Sequence, residues 1–193
     1  MNNHHHLTQL IVSWQNGNRL AERELYQLCY LQLHTIAHNA IAKSQQKFGS
    51  DNTTLSKAML DTQALVNEAY IKLAQCQSLE LNNRKQFFLL VAKITQQILI
   101  DHARAIKTDK RSAHGQPPKL EHHDIDQFLS AAKLLEVFES HYPRQAKALK
   151  LKYFSGLKLD EISLLMECSR SLVQKDILFS KAWLNASLQQ NQT

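Results

Sequence analysis

The stretch that most constrains this chain is Arg84 to Arg111, twenty-eight residues without a glycine or a proline. Phe87, Phe88, Val91, Ile94, Thr95, Ile98, Leu99 and His102 recur in it at the spacing of one helical face. Lys93, Gln97, Arg104, Lys107 and Arg111 fall mostly on the opposite side, with the cations densest toward the C-terminal end. A rod with one apolar and one cationic face can pack into a helical bundle and still touch phosphates.

The rest of the chain reads as helix too. Only four Gly and three Pro occur in 193 residues, and long stretches are rich in Leu, Ala, Gln and Lys, which are good helix formers. Leu7, Leu10, Ile11 and Trp14 predict a first amphipathic helix, ended by Gly17-Asn18. A longer one runs from Arg19 into the mid-forties, with Leu25, Leu28, Leu33, Ile36 and Ile41 as core candidates. Gly49 to Thr54 is turn-like. Asp61 or Thr62 caps the segment TQALVNEAYIKLAQ, whose buried stripe is Leu65, Val66, Ala69, Tyr70 and Leu73 and whose outer face carries Asn67, Glu68 and Lys72. Gln75 to Asn83 is a connector. Residues 112–127 hold Gly115, Pro117-Pro118 and little apolar content, as a flexible linker would. The expected architecture is therefore all-α, two small helical domains (residues 7–111 and 128–187) on a tether.

The second domain contains a recognisable pair. Leu159, Ile162 and Leu165 fall at one-turn spacing. Glu167-Cys168-Ser169 breaks the pattern, and Val173, Ile177 and Leu184 line a second helix with Leu172, Phe179 and Trp183 beside them. Ser169 suits an N-cap. Arg170, Ser171, Gln174 and Lys175 are left facing outward near the second helix's start. A short helix, a three-residue turn and a helix with a polar, basic beginning make a helix-turn-helix, whose second helix can enter a major groove. A solvated helical hairpin would share the same pattern.

Charge favours a polyanionic partner. The formal net charge is +6, and all of that surplus lies between Arg84 and Lys119, where eight Lys/Arg meet two Asp. Cys29, Cys76 and Cys168 are odd in number and far apart, which speaks against a disulfide framework or a zinc site and for a reducing compartment. His34 and His38 stand four apart, but no third ligand accompanies them. No apolar run is long enough to span a bilayer, and the N-terminus lacks a signal-peptide core. The expectation is a cytoplasmic protein with no cofactor, no metal and no catalytic residues.

Three segments, ALVNEAYIKLA, NRKQFFLLVAKITQQILIDHARAIKTDKR and YPRQAKALKLKYFSGLKLDEISLLMECSRSLVQKDILFSKAWL, resemble in order a bacterial RNA polymerase sigma factor of the extracytoplasmic-function (ECF) class, in the branch carrying ILIDHAR. The resemblance covers nearly the whole chain. It implies that the first domain binds core polymerase and the −10 promoter element, and that the second binds the polymerase flap and reads the −35 element. The helix holding Leu65, Asn67, Glu68, Ile71 and Lys72 would dock on the clamp helices of the β′ subunit. Lys93, Arg104, Lys107, Lys110 and Arg111 would hold −10 phosphates, and the connector Gln75 to Asn83 would receive an unstacked base. Arg170, Ser171, Gln174 and Lys175 would approach the −35 major groove. There a good bidentate pair contributes roughly 1–3 kcal/mol of discrimination. An anti-sigma protein is a further partner the family allows. Departures from the family pattern are Ala64 in place of an acidic residue, Lys158 in place of a small hydroxylated cap, Glu167 in place of Gly and Leu172 in place of Thr.

Two other readings stay open on sequence. One is a helix-turn-helix regulator that binds DNA through its second domain and never joins polymerase. The other is a metal hydrolase using Asp101 and His102, which would need further ligands that the spacing does not offer.

Overall fold

The computed structural model describes residues 3–30, 62–76, 79, 81–112 and 119–190. All regular structure among them is α-helical. We number the helices α1 (Asn3–Gln15), α2 (19–30), α3 (Thr62–Gln75), α4 (Arg84–Ser112), α5 (Lys119–His141), α6 (Pro143–Tyr153), α7 (Leu159–Met166) and α8 (Arg170–Gln190). Among the expected features, Leu33, Ile36, Ile41, the His34/His38 pair and the turn at 49–54 lie outside the described residues.

Each helix buries the stripe that its spacing marks. Leu7, Ile11 and Trp14 of α1 are buried, as are Ala21, Leu25 and Cys29 of α2 and Val66, Ala69 and Leu73 of α3. Steps of three and four keep each set on one face. The α1–α2 corner uses Asn18 twice. Gly17, with φ of 82°, ends α1 in the left-handed region. The Asn18 side-chain oxygen then accepts from the amides of Leu20 (2.9 Å) and Ala21 (3.2 Å), capping α2. At the start of α4, Asn83 plays the same part, accepting from the Gln86 amide at 3.0 Å.

Two expected core residues are exposed. Leu28 is 38% exposed, because Leu25 and Cys29 take the inward stripe of α2 and leave Leu28 at its rim. Tyr70 is 37% exposed. Its ring sits edge-on to Tyr26, with centroids 4.7 Å apart, and its hydroxyl donates to Glu22 at 2.9 Å. An amphipathic ring behaves this way at a seam, with its body packed and its tip in water.

Helix α4 is the hub. Its buried side chains Phe87, Phe88, Val91, Ala92, Ile94, Thr95 and Ile98 are met by α1 and α3 on one side and by α5, α6 and α7 on another. Trp14 meets Phe87 edge to face at 6.4 Å. Toward the C-terminal half, the fully buried Ser155, in the turn after α6, donates from Oγ to the carbonyl oxygen of Phe88 at 2.6 Å. One continuous buried cluster therefore runs from Leu7 to Ile177. Helix α5 begins at Lys119, inside the stretch whose composition suggests a linker, and Ile125 is buried within it.

Candidate nucleic-acid and protein interfaces

The turn between α7 and α8 is built from local hydrogen bonds. At the head of α7, Glu161 accepts from the Lys158 amide at 2.7 Å, which is half of a capping box with no hydroxyl needed at Lys158. Asp160 and Glu161 also place negative charge in the first turn, where the helix dipole favours it. At the tail, Glu167 takes the left-handed conformation (φ 54°, ψ 43°) usually left to Gly. The Cys168 amide then reaches back to the Ser163 carbonyl at 3.1 Å. Ser169 caps α8, its Oγ accepting from the Leu172 amide at 3.2 Å. Ile162 and Leu165 of α7 and Val173 and Ile177 of α8 are buried.

With that face inward, Arg170, Ser171, Gln174 and Lys175 are all exposed at the start of α8. Positions 170, 171, 174 and 175 share one side of a helix. Arg170 Nε lies 3.2 Å from Asp160 Oδ1, and both side chains are largely in solvent. Such a pair is worth about 0–1 kcal/mol, so a phosphate or a guanine edge can displace it.

Behind this face lies a polar contact that the residue pattern does not announce. Asp176 is 3% exposed, and its Oδ1 accepts from the Arg144 guanidinium at 2.9 Å. Its other oxygen is buried and has no hydrogen-bond partner. Burial raises the Asp176 pKa above the ordinary carboxylate value, and the positive charge of Arg144 only partly opposes this.

The outer side of α4 is less open than its charge pattern suggests. Lys93 is exposed. Gln97 donates to Asp101 at 2.9 Å, and Arg104 lies 3.7 Å from the same carboxylate. Lys107 is bonded to Asp126 of α5. Lys110 and Arg111 lie on α4 in its last turns, with their side chains outside the described residues.

Asp101 also connects α4 to α3. Lys72 Nζ sits 3.2 Å from Glu68 and 3.3 Å from Asp101. The second Glu68 oxygen lies 3.2 Å from His102 Nε2. Burial works against the charged Lys72 amine, but the hydrogen bonds to Glu68 and Asp101 outweigh it and its pKa stands above the ordinary lysine value. The structure thus brings Glu68, Lys72, Asp101 and His102 into one half-buried network, engaging the two residues that a hydrolase would need free. On the same helix, Asn67 is exposed and Ile71 is 56% exposed. Leu65 lies one turn before, its side chain outside the described residues. The i, i+4 spacing of Glu68 and Lys72 could have flagged their pairing. Nothing in the spacing flags the links to α4.

A family model described as "ECF sigma factor" matches residues 4–190. No match was found among curated proteins or among solved structures. No helix of the described residues is long and apolar enough to cross a membrane.

Proposed function

The chain belongs to the ECF sigma factor family, and from that premise we propose how its surfaces divide the work of starting transcription. The family consists of non-enzymatic initiation factors that act with RNA polymerase on promoter DNA. In the proposed division, α3 docks on the clamp helices of β′, the outer face of α4 holds the −10 region and the start of α8 reads the −35 element. The C-terminal unit also touches the polymerase flap. The place of work is the cytoplasm, where polymerase and DNA meet.

The observation that carries this reading is the open face at Arg170, Ser171, Gln174 and Lys175, on a helix whose other side is buried. Four polar side chains held by a packed helix, one of them guanidinium and one ammonium, match what groove reading requires. Electrostatics adds to it, because the surplus of positive charge is confined to Arg84–Lys119. Cations near phosphates release counterions and give sequence-independent affinity, while the α8 face supplies the sequence-dependent part.

Transcription with purified core polymerase tests this directly. The wild-type chain should support run-off RNA from specific start sites. Ile71→Glu should abolish capture of core polymerase while leaving the melting temperature within a few degrees, because Ile71 is already largely in solvent. It is a cleaner probe than Glu68, whose replacement would also take one partner from Lys72 and one from His102. If Ile71→Glu captures polymerase as well as wild type does, α3 is not the docking element. A chain that binds DNA through α8 yet never captures polymerase would be a stand-alone regulator.

A further inference from the structure

We propose that Arg144 and Asp176 are a positioning pair that fixes the rotation of α8 about its own axis, and so set −35 discrimination without touching a base. The proposal rests on the sigma-factor reading above.

Asp176 follows Lys175 directly and is the only acidic or basic side chain buried among the described residues. Its contact with Arg144 joins the first turn of α6 to α8. One turn further along α8, the fully buried Ser180 donates from Oγ to the Asp176 carbonyl at 2.7 Å and also lies 3.4 Å from the carbonyl of Gln145. Two successive residues of α6 thus hold two successive turns of α8 by directional contacts.

Much of the rest of the seat is apolar. Val173 and Ile177 belong to the buried apolar cluster, and Phe179 and Trp183 lie against Phe138. The hydrophobic driving force is non-directional, whereas the contacts at Asp176 and Ser180 each fix a direction. A helix with its side chains has a radius of about 5–6 Å, so a turn of about 10° moves a surface group by about 1 Å. That displacement is enough to spoil a bidentate contact to a base. All four recognition residues would move together, because they ride on one helix.

The pair is a poor device for stability alone. One carboxylate oxygen is buried without a partner, and desolvating a charge this way costs free energy that an apolar pair of similar volume would not. What an ion pair adds over an apolar pair is a fixed direction.

The test uses the full chain with core polymerase on two templates, one with an intact −35 box and one with that box scrambled. The readout is the ratio of run-off RNA from the two. The double variant Arg144→Met/Asp176→Leu replaces the pair by apolar groups. Its melting temperature should match or exceed wild type and its capture of core polymerase should be unchanged, while the ratio falls about fivefold or more. Arg144→Lys keeps the charge but not the planar fork, and should give an intermediate ratio. If the double variant melts early, Asp176→Asn serves instead, since it keeps the shape and weakens the contact; the ratio should again fall. A wild-type ratio in a folded variant overturns the proposal and leaves the sigma-factor reading intact. No RNA from the wild-type chain on either template overturns that reading, and the role of the pair with it.

Discussion

At the scale of single residues, strain and burial give two predictions. Glu167 holds a left-handed backbone, which costs a non-glycine residue roughly 1–2 kcal/mol. Its side chain is exposed, so Glu167→Gly removes the strain and sacrifices no packing. Denaturant melting should show a gain of about 0.5–1 kcal/mol after the added chain entropy of glycine is subtracted. A loss would mean that the Glu167 side chain makes a favourable contact. Asp176 gives the second prediction. Its folded-state pKa is raised, so the native chain binds a proton more readily there than the unfolded chain does. The stabilising effect of that proton is fully present below the ordinary carboxylate pKa and is lost as pH rises through the raised value. Asp176→Asn should therefore be as stable as wild type or more so at pH 7. That advantage should shrink as pH falls through the carboxylate range, as read by melts at a series of pH values.

At the scale of elements, apolar faces are legible in the residues and polar pairings between helices are not. The inward side of α4 follows from spacing alone, because burial obeys the helical period wherever a helix packs on a core. The exposed set on α8 follows in the same way. Leu28 and Tyr70 show the limit: residues at the edge of a stripe sit wherever the neighbouring helix stops covering them. Glu68 and His102 are 34 positions apart, and Arg144 and Asp176 are 32 apart. Only the docking of one helix on another joins them, so no local pattern marks them. The consequence for DNA binding is concrete. Gln97, Arg104 and Lys107 are engaged by Asp101 and Asp126, whereas Lys93 is exposed and makes none of those pairs. If Lys93 holds a phosphate, Lys93→Ala should lower the slope of log affinity against log salt by about 0.9. Lys107→Ala should change it less. An unchanged slope for Lys93→Ala would remove that residue from the DNA-facing surface.

At the scale of the whole molecule, α4 joins what composition divides. The break at 112–127 predicts two small helical domains on a tether, and among the described residues the buried cluster includes side chains from both sides of that stretch, with Ser155 hydrogen-bonded to the α4 backbone. Linker-like composition reports a local shortage of apolar residues; it carries no information about whether the segments on either side find each other. Arg84 of α4 illustrates the seam: burial lowers its pKa, and Glu161 of α7 opposes that from across the junction. A shared core predicts one cooperative unfolding transition, with calorimetric and van't Hoff enthalpies equal. Ser155→Ala should lower that single midpoint by the equivalent of about 0.5–1.5 kcal/mol, because it removes a buried hydrogen bond while the Phe88 carbonyl keeps its place in the α4 ladder. Two resolved transitions would mean that the halves melt separately.

The most direct measurement is multi-round transcription by purified core polymerase on genomic fragments, with and without this chain, followed by mapping of RNA 5′ ends. The expected result is a discrete set of new start sites preceded by a shared pair of sequence boxes and lost with Ile71→Glu. A folded chain that adds no start sites beyond those of core polymerase alone would contradict a role in promoter-directed initiation.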